Sequence, residues 1–330
     1  IIALITYCLA PIVSTQPSWF YVMVIVTVLL LTELKHTFTE FAQRMKNDEM
    51  ITLAKFLAIS GIILPMLPHK NLILDINLTP YSIWLATVVV SGISYLSYLL
   101  KRYVFHESGT LVSGIIGGLY SSTATISVLA RKSRKASEQE ATEYVAAMLL
   151  AVSMMFLRFM ILILIFSREI FLSIYPYLLI MSVVSAIVGW FVHSRQKLPK
   201  DTSVESEEDD SSNPLEFKVA LIFAVLFVVF TVLTHYTLVY AGTSGLNLLS
   251  FVSGFSDITP FILNLLQNTG SVAVLIITAC SMQAIVSNIL VNMFYALFFA
   301  GKRSKLRPWI LGGFGAVIVC NLVLLLFFYL

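Results

Sequence analysis

Long apolar runs, separated by short polar stretches, follow one another along the whole chain. Most approach the roughly 20 residues that an α-helix needs to cross a bilayer, and none alternates as membrane β-barrel strands do. The pattern therefore predicts an all-α polytopic membrane protein. The predicted spans are residues 1–13, 19–31, 50–67, 81–100, 146–166, 171–192, 215–233, 272–299 and 310–330.

Two further apolar stretches are interrupted by glycine and hydroxyl residues, and they align with each other. They begin at Gly109 and at Gly245 and run to Thr123 and Thr259. The aligned pairs, each 136 residues apart, are Gly109 and Gly245, Gly118 and Gly254, and Thr123 and Thr259. Paired, interrupted apolar segments in the two halves of a chain indicate a transporter binding site.

The basic residues test whether these two segments cross the membrane. If both cross, the loops on the two sides hold 10 and 8 Lys and Arg residues, which is no bias. If both are re-entrant hairpins, the count becomes 16 against 2, as the positive-inside rule requires of a cytoplasmic face. The larger set is Lys35, Arg44, Lys46, Lys101, Arg102, Arg131, Lys132, Arg134, Lys135, Arg195, Lys197, Lys200, Lys302, Arg303, Lys305 and Arg307.

The charge count therefore predicts two repeats of opposite orientation. Each repeat holds three spans and one re-entrant helical hairpin, and an odd number of crossings inverts the second copy. The predicted domains are N-terminal spans with a charged interfacial helix at 1–79, trimmed at the front, repeat 1 at 80–199, an acidic cytoplasmic linker at 200–213 and the inverted repeat 2 at 214–330. The alternative is a parallel duplication with ordinary spans.

Composition agrees with a membrane protein and narrows the partners. Hydrophobic residues make up 58% of the chain and charged residues 12%, with a net charge of +3. So small a charge, spread over loops beside apolar runs, gives no reason to expect nucleic acid as a partner. We expect the lipid bilayer and an ion or small solute as partners, no cofactor, and leave homo-oligomerisation open.

Hydroxyl residues cluster at both interruptions. Gly117 and Gly118 are expected to break the first helix, and Ser121, Ser122 and Thr123 follow. In the second segment, Gly254, Ser256, Asp257 and Thr259 precede Pro260, so that Asp257 or Thr259 is a natural N-cap. Capping alone explains any single hydroxyl, whereas two related clusters indicate a binding site.

Two charged residues lie where charge is costly. Asp257 is a carboxylate within the second interrupted segment and is a candidate for cation or metal coordination, or for proton coupling, with N-capping as the structural alternative. Arg158 lies in mid-span, where it either binds an anionic substrate or pairs with Asp257. Asn288 and Asn292 share a helix face and either line the site or join helices.

Signatures of hydrolytic enzymes and ATPases are missing from the sequence. It has no Walker loop, no Gly-x-Ser-x-Gly elbow and no His-Glu-x-x-His motif. A nucleophile paired with a base is not apparent either. We therefore expect no enzymatic activity.

The chain resembles the long members of the bacterial MgtC/SapB-type membrane proteins, which add a C-terminal membrane domain of unknown function. The resemblance rests on Gly117-Gly-Leu-Tyr-Ser-Ser-Thr-Ala-Thr125 and on Asn213-Pro-Leu-Glu216, and covers residues 32–307. In that pattern an arginine follows in the next span, matched by Arg158. The second motif usually carries two acids; here Asp257 is kept and Thr259 replaces the other. The resemblance implies a multi-pass protein of the bacterial inner membrane, with a loose link to magnesium homeostasis.

Two functions follow as hypotheses. The first is a secondary transporter or channel-like carrier of an ion or small solute, with its site between the two interrupted segments. The site residues would be Gly118, Ser121, Ser122, Thr123, Arg158, Ser256, Asp257, Thr259, Asn288 and Asn292. The alternative is a non-transporting membrane regulator that binds another membrane protein through its lipid-facing helices.

Overall fold

The computed structural model describes residues 7, 18–33, 47–72, 76, 78–105, 109–134, 138–195, 217–267, 272–301 and 306–329. Apart from Tyr7, the predicted first span lies outside these residues, as do most of the predicted interfacial helix and the whole acidic linker at 200–213. The chain divides into two compact units, Ile1–Leu57 and Ala58–Leu330.

Most of the described residues form helices. The helices are α1 (Ser18–Glu33), α2 (Asn47–Ala58), α3 (Pro80–Leu99), α4 (Thr110–Ser133), α5 (Glu138–Phe166), α6 (Arg168–Ser194), α7 (Phe217–Ser253), α8 (Ile258–Gln267), α9 (Val274–Ala300) and α10 (Leu306–Tyr329). Two π-helical turns, Ile59–Ile63 and Leu100–Val104, follow α2 and α3, and a three-residue helical turn, Leu64–Met66, follows the first of them.

Seven helical segments among the described residues are long and apolar enough to cross a membrane, and the protein is a multi-pass membrane protein. Long helices expose large apolar side chains on one side, among them Trp190, Val239 and Leu326. Such continuous apolar surface is what hydrocarbon covers. The predicted multi-pass, all-α class is confirmed.

The second unit packs around α5 and α9. The first contacts α4, α6, α8 and α10, and the second contacts α4, α6, α7, α8 and α10. More than two thirds of the most apolar stretch of α9 is buried. These two helices therefore carry the side chains that the others surround.

Hydroxyl and amide groups join the helices inside this apolar unit. Ser153 of α5 donates to the Ser182 carbonyl of α6 at 2.8 Å. Asn264 of α8 donates to Thr234 Oγ1 of α7 at 3.0 Å. Such bonds are important in a membrane because lipid offers the polar groups no alternative partner.

Two leucines of α5 allow the packing to be tested. Leu162 is fully buried, whereas Leu164, two residues along the same helix, is 51% exposed. Because truncation leaves a cavity only in the first case, Leu162→Ala should lower the free energy of unfolding by about 2–5 kcal/mol. Chemical unfolding in detergent micelles measures the loss.

Leu164→Ala is the matched control and should change the free energy of unfolding by under about 1 kcal/mol. Equal losses for the two variants would contradict the assignment of the inner and outer faces of α5.

Candidate functional site

The first tip, residues 117–123, interrupts α4 at a single residue. Ser121 has φ −159° and ψ 106°, an extended conformation between two helical halves, residues 110–120 and 122–133. Its side chain accepts a hydrogen bond from the Ala124 backbone N–H at 3.3 Å. Ser121 thus caps the second half, as Ser does at helix N-termini.

The predicted break at Gly117 and Gly118 is wrong by a few residues. Both glycines are helical, and they serve close packing instead. A Cβ on Gly118 would lie 2.6 Å from the Ala151 Cα of α5, so only a glycine allows this approach of the two backbones.

The two halves of α4 lie against each other. A Cβ on Gly117 would lie 2.5 Å from Thr125 Oγ1, eight residues further along the chain. In a straight helix, residues at that separation are about 12 Å apart along the axis. The chain therefore reverses its direction at Ser121.

The second tip, residues 254–259, follows a second reversal. Gly242 breaks α7 with φ 58° and ψ −150°, in the left-handed region that favours glycine. A Cβ on Gly245 would lie 2.8 Å from the Thr237 side chain, again eight residues away, so residues 243–253 pack back on the preceding part of α7.

Asp257 caps the helix that leaves the second tip. Its carboxylate accepts from the Thr259 backbone N–H at 3.0 Å, at the start of α8. The predicted N-cap is confirmed for Asp257. A carboxylate at this position also interacts favourably with the positive end of the helix dipole.

Contacts at the first tip recur 136 residues later at the second. Gly118 packs on Ala151 of α5, and Gly254 packs on Ser287 of α9. Ser121 caps the returning half of α4, and its counterpart at the same offset, Asp257, caps α8. The alignment found in the sequence therefore has a counterpart in local geometry.

Arg158, on α5, binds the first tip and lies within electrostatic range of the second. Its Nη1 donates to the Tyr120 carbonyl of the first tip at 2.5 Å, and its Nη2 lies 3.5 Å from Ser94 Oγ of α3. The Asp257 carboxylate of the second tip acts on the same guanidinium through a Coulombic interaction. One side chain therefore interacts with both interruptions.

Amide side chains of α9 hold the second tip. Asn288 donates to the Gly254 carbonyl at 3.2 Å, and Asn292 donates to Asn288 Oδ1 at 3.1 Å. Ser287 donates to the Phe251 carbonyl at 2.7 Å. The bonds from Asn288 and Ser287 reach carbonyls at the end of α7, where a helix offers its carbonyls few partners of its own. The predicted helix-joining role of Asn288 is therefore the one the geometry displays.

The predicted site residues differ in exposure. Asp257 and Ser256 are exposed, whereas Ser122, Thr259, Asn288 and Asn292 are buried. The remaining three side chains, Ser121, Thr123 and Arg158, are partly buried. The exposed groups lie at the second tip, and the guanidinium that interacts with both tips is partly buried.

Sequence reasoning missed Ser94, and a signal for it exists. Thr87, Ser91, Ser94 and Ser97 are all buried on α3. Their spacing of three or four residues places them along one face of the helix. A hydroxyl row on one side of an apolar span is a reason to look for a polar partner such as Arg158.

No group of three metal-ligating side chains occurs among the residues that the structure describes. The role of Asp257 in binding a cation stays a prediction, since a single carboxylate needs further oxygen ligands from elsewhere.

Comparisons with known proteins identify a family whose function is unknown. The family described as "Domain of unknown function (DUF4010)" matches residues 88–300. An uncharacterized protein of Aquifex aeolicus (strain VF5) is 26% identical over 205 residues, which is 61% of this chain and 87% of that protein. No solved structure matches the chain.

The close contact at the first tip can be tested with alanine. Gly118→Ala would place a methyl group against the α5 backbone, which cannot rotate away as a side chain can. We expect a loss of about 1–3 kcal/mol in the free energy of unfolding, measured in detergent.

Gly312→Ala on α10 serves as the control, because a Cβ there meets nothing within 4 Å. It should be neutral or slightly stabilising, since alanine favours helix more than glycine does. A neutral Gly118→Ala would show that α4 and α5 are further apart than described.

Proposed function

We propose that this chain, which belongs to the DUF4010 family of domains of unknown function, is a secondary transporter of an ion or small solute. The proposal rests on the geometry of its two tips. The observation that carries the proposal is Arg158, which binds the Tyr120 carbonyl of one tip and interacts electrostatically with Asp257 of the other. The substrate would bind between the tips.

The lengths of the half-helices support re-entrant hairpins. The four halves contain 10–12 residues each, which corresponds to about 15–18 Å. That is roughly half of the ~30 Å hydrocarbon core. A segment that enters, reverses after half the thickness and leaves on the same side fits both this length and the charge count of 16 against 2.

The constant offset supports two inverted repeats. α5 begins at Glu138 and α9 at Val274, which are 136 residues apart, as are the capping residues Ser121 and Asp257. The contacts between the two halves are paired in the same way. α4 of the first half packs on α9 of the second, and α8 of the second half packs on α5 of the first. With three crossings in each half, the first hairpin opens to the cytoplasm and the second to the outside.

The exposure of the second tip supports a water-filled site. Non-helical backbone at membrane depth is tolerated only where it is buried in protein or lines an aqueous cavity. Ser256 and Asp257 are exposed, whereas lipid would be a costly neighbour for a carboxylate. In transporters with broken helices, half-helix ends facing such a cavity bind the substrate, and one repeat moves against the other to alternate access.

The charged side chains have distinct roles in the proposed transport site. Arg158 would be the counter-charge of Asp257 when the site is empty and would bind the substrate when the substrate is anionic. If the substrate is a cation, Asp257 would bind it. The hydroxyl groups of Ser121 and Thr123 would complete the site from the first tip.

The cellular location follows the same proposal. We place the protein in the bacterial inner membrane, with its basic loops in the cytoplasm. This location rests on the charge distribution and on the resemblance to MgtC/SapB-type proteins, and the resemblance itself stays a prediction.

Flux through proteoliposomes tests the proposal. Proteoliposomes that contain the purified protein should take up at least one member of a panel of inorganic ions and small organic acids. Asp257→Asn and Arg158→Gln should each lower the initial rate at least roughly tenfold, because each removes one of the two opposite charges that interact between the first and second tips.

Glu169→Gln and Arg168→Gln are the matched controls. They neutralise charges in the first turn of α6, outside the tips, and should keep the wild-type rate. A wild-type protein without flux, together with sensitivity to changes on outer helix faces, would favour the membrane regulator instead. Full transport by both the Asp257 variant and the Arg158 variant would refute the site.

A further inference from the structure

A cleft of about 610 Å³ lies away from the tips, at the ends of α4 and α9. It is lined by Arg131, Arg134, Phe298 and Phe299. The two arginines belong to the last turn and the C-cap of α4, and the two phenylalanines belong to the last turn of α9. The cleft therefore combines two cations with an apolar wall.

The arginines are held so that they face outward. The Arg131 guanidinium carbon lies 4.4 Å from the centre of the Phe299 ring, a cation–π contact. Both arginines are exposed. The Arg134 side chain passes close to Gly301, whose φ of 76° ends α9.

The surrounding sequence is basic. In the sequence, Lys132 is adjacent to Arg131, and Lys135, Lys302, Arg303 and Lys305 closely follow Arg134 or Phe299. The acids Glu138, Glu140 and Glu143 come next, at the start of α5. All of these basic residues belong to the set assigned to the cytoplasmic face. Anionic lipids give that face of a membrane its negative surface potential.

An exposed aromatic strip leads from the cleft along α9. Phe298 is 67% exposed and Phe294 is 60% exposed, and their rings stack with centroids 6.0 Å apart. These two stand out on a helix that is otherwise mostly buried. They lie one turn apart, so the apolar strip runs from the cleft toward the middle of the helix.

We propose that this cleft binds one anionic phospholipid, with the phosphate on Arg131 and Arg134 and an acyl chain along Phe298 and Phe294. Guanidinium groups suit phosphate because they offer paired N–H donors and a permanent charge. A basic pocket between helix ends at the membrane surface is a recognised site for anionic headgroups. The acyl chain separates this occupant from a soluble phosphate.

Native mass spectrometry of the full chain in detergent tests the proposal, with phosphatidylglycerol and phosphatidylcholine offered together. The wild-type protein should retain phosphatidylglycerol preferentially. The double variant R131Q/R134Q should retain at least roughly tenfold less phosphatidylglycerol, because each basic residue contributes separately to the attraction.

Arg195→Gln is the matched control. Arg195 is also exposed and lies 4.8 Å from a phenylalanine ring, that of Phe191, but it does not line the cleft. Its loss should leave lipid retention unchanged. Phe298→Ala should weaken retention while both arginines stay in place.

Three results would overturn the proposal. They are equal retention of the two lipids by the wild-type protein, wild-type retention by R131Q/R134Q, and displacement of phosphatidylglycerol by inorganic phosphate at equal concentration. The last would make a soluble anion the occupant. Each readout is independent of transport.

Discussion

The arrangement of this molecule depends on how a guanidinium is accommodated among apolar helices. Arg158 lies on α5, which packs against four other helices, and its charge needs partners that lipid does not supply. The partners are the Tyr120 carbonyl, the Ser94 hydroxyl and, at longer range, the Asp257 carboxylate. A carbonyl becomes available at Tyr120 because α4 is broken at the next residue.

The structure also requires the broken helices to come close to the intact ones, and glycine allows this. Gly118 and Gly254 bring the two tips against the backbones of α5 and α9. Close approach matters more in a bilayer than in water, because helix association there depends on packing and on hydrogen bonds rather than on hydrophobic burial. The same contacts bring the interruptions toward Arg158 and Asn288.

Much of the fold was predictable from the sequence because lipid imposes simple rules on length and charge. The runs of apolar residues predicted most of the described long helices, and the offset between Gly118 and Gly254 predicted the paired tips. The position of the first break was not predictable, because tertiary contacts, and not the local sequence, decide that Gly117 and Gly118 stay helical and that Ser121 is extended. The bond from Arg158 to Tyr120, 38 residues away, depends on how α5 lies along α4.

Thiol labelling tests the central claim that two half-helical hairpins enter the membrane from opposite faces. In a background without native cysteines, single cysteines would replace Arg102, Lys132, Thr243 and Ala273, which flank the two hairpins. In intact cells, an impermeant reagent should label positions 243 and 273 and leave 102 and 132 protected. Labelling that places 102 and 132 on different sides would contradict the claim.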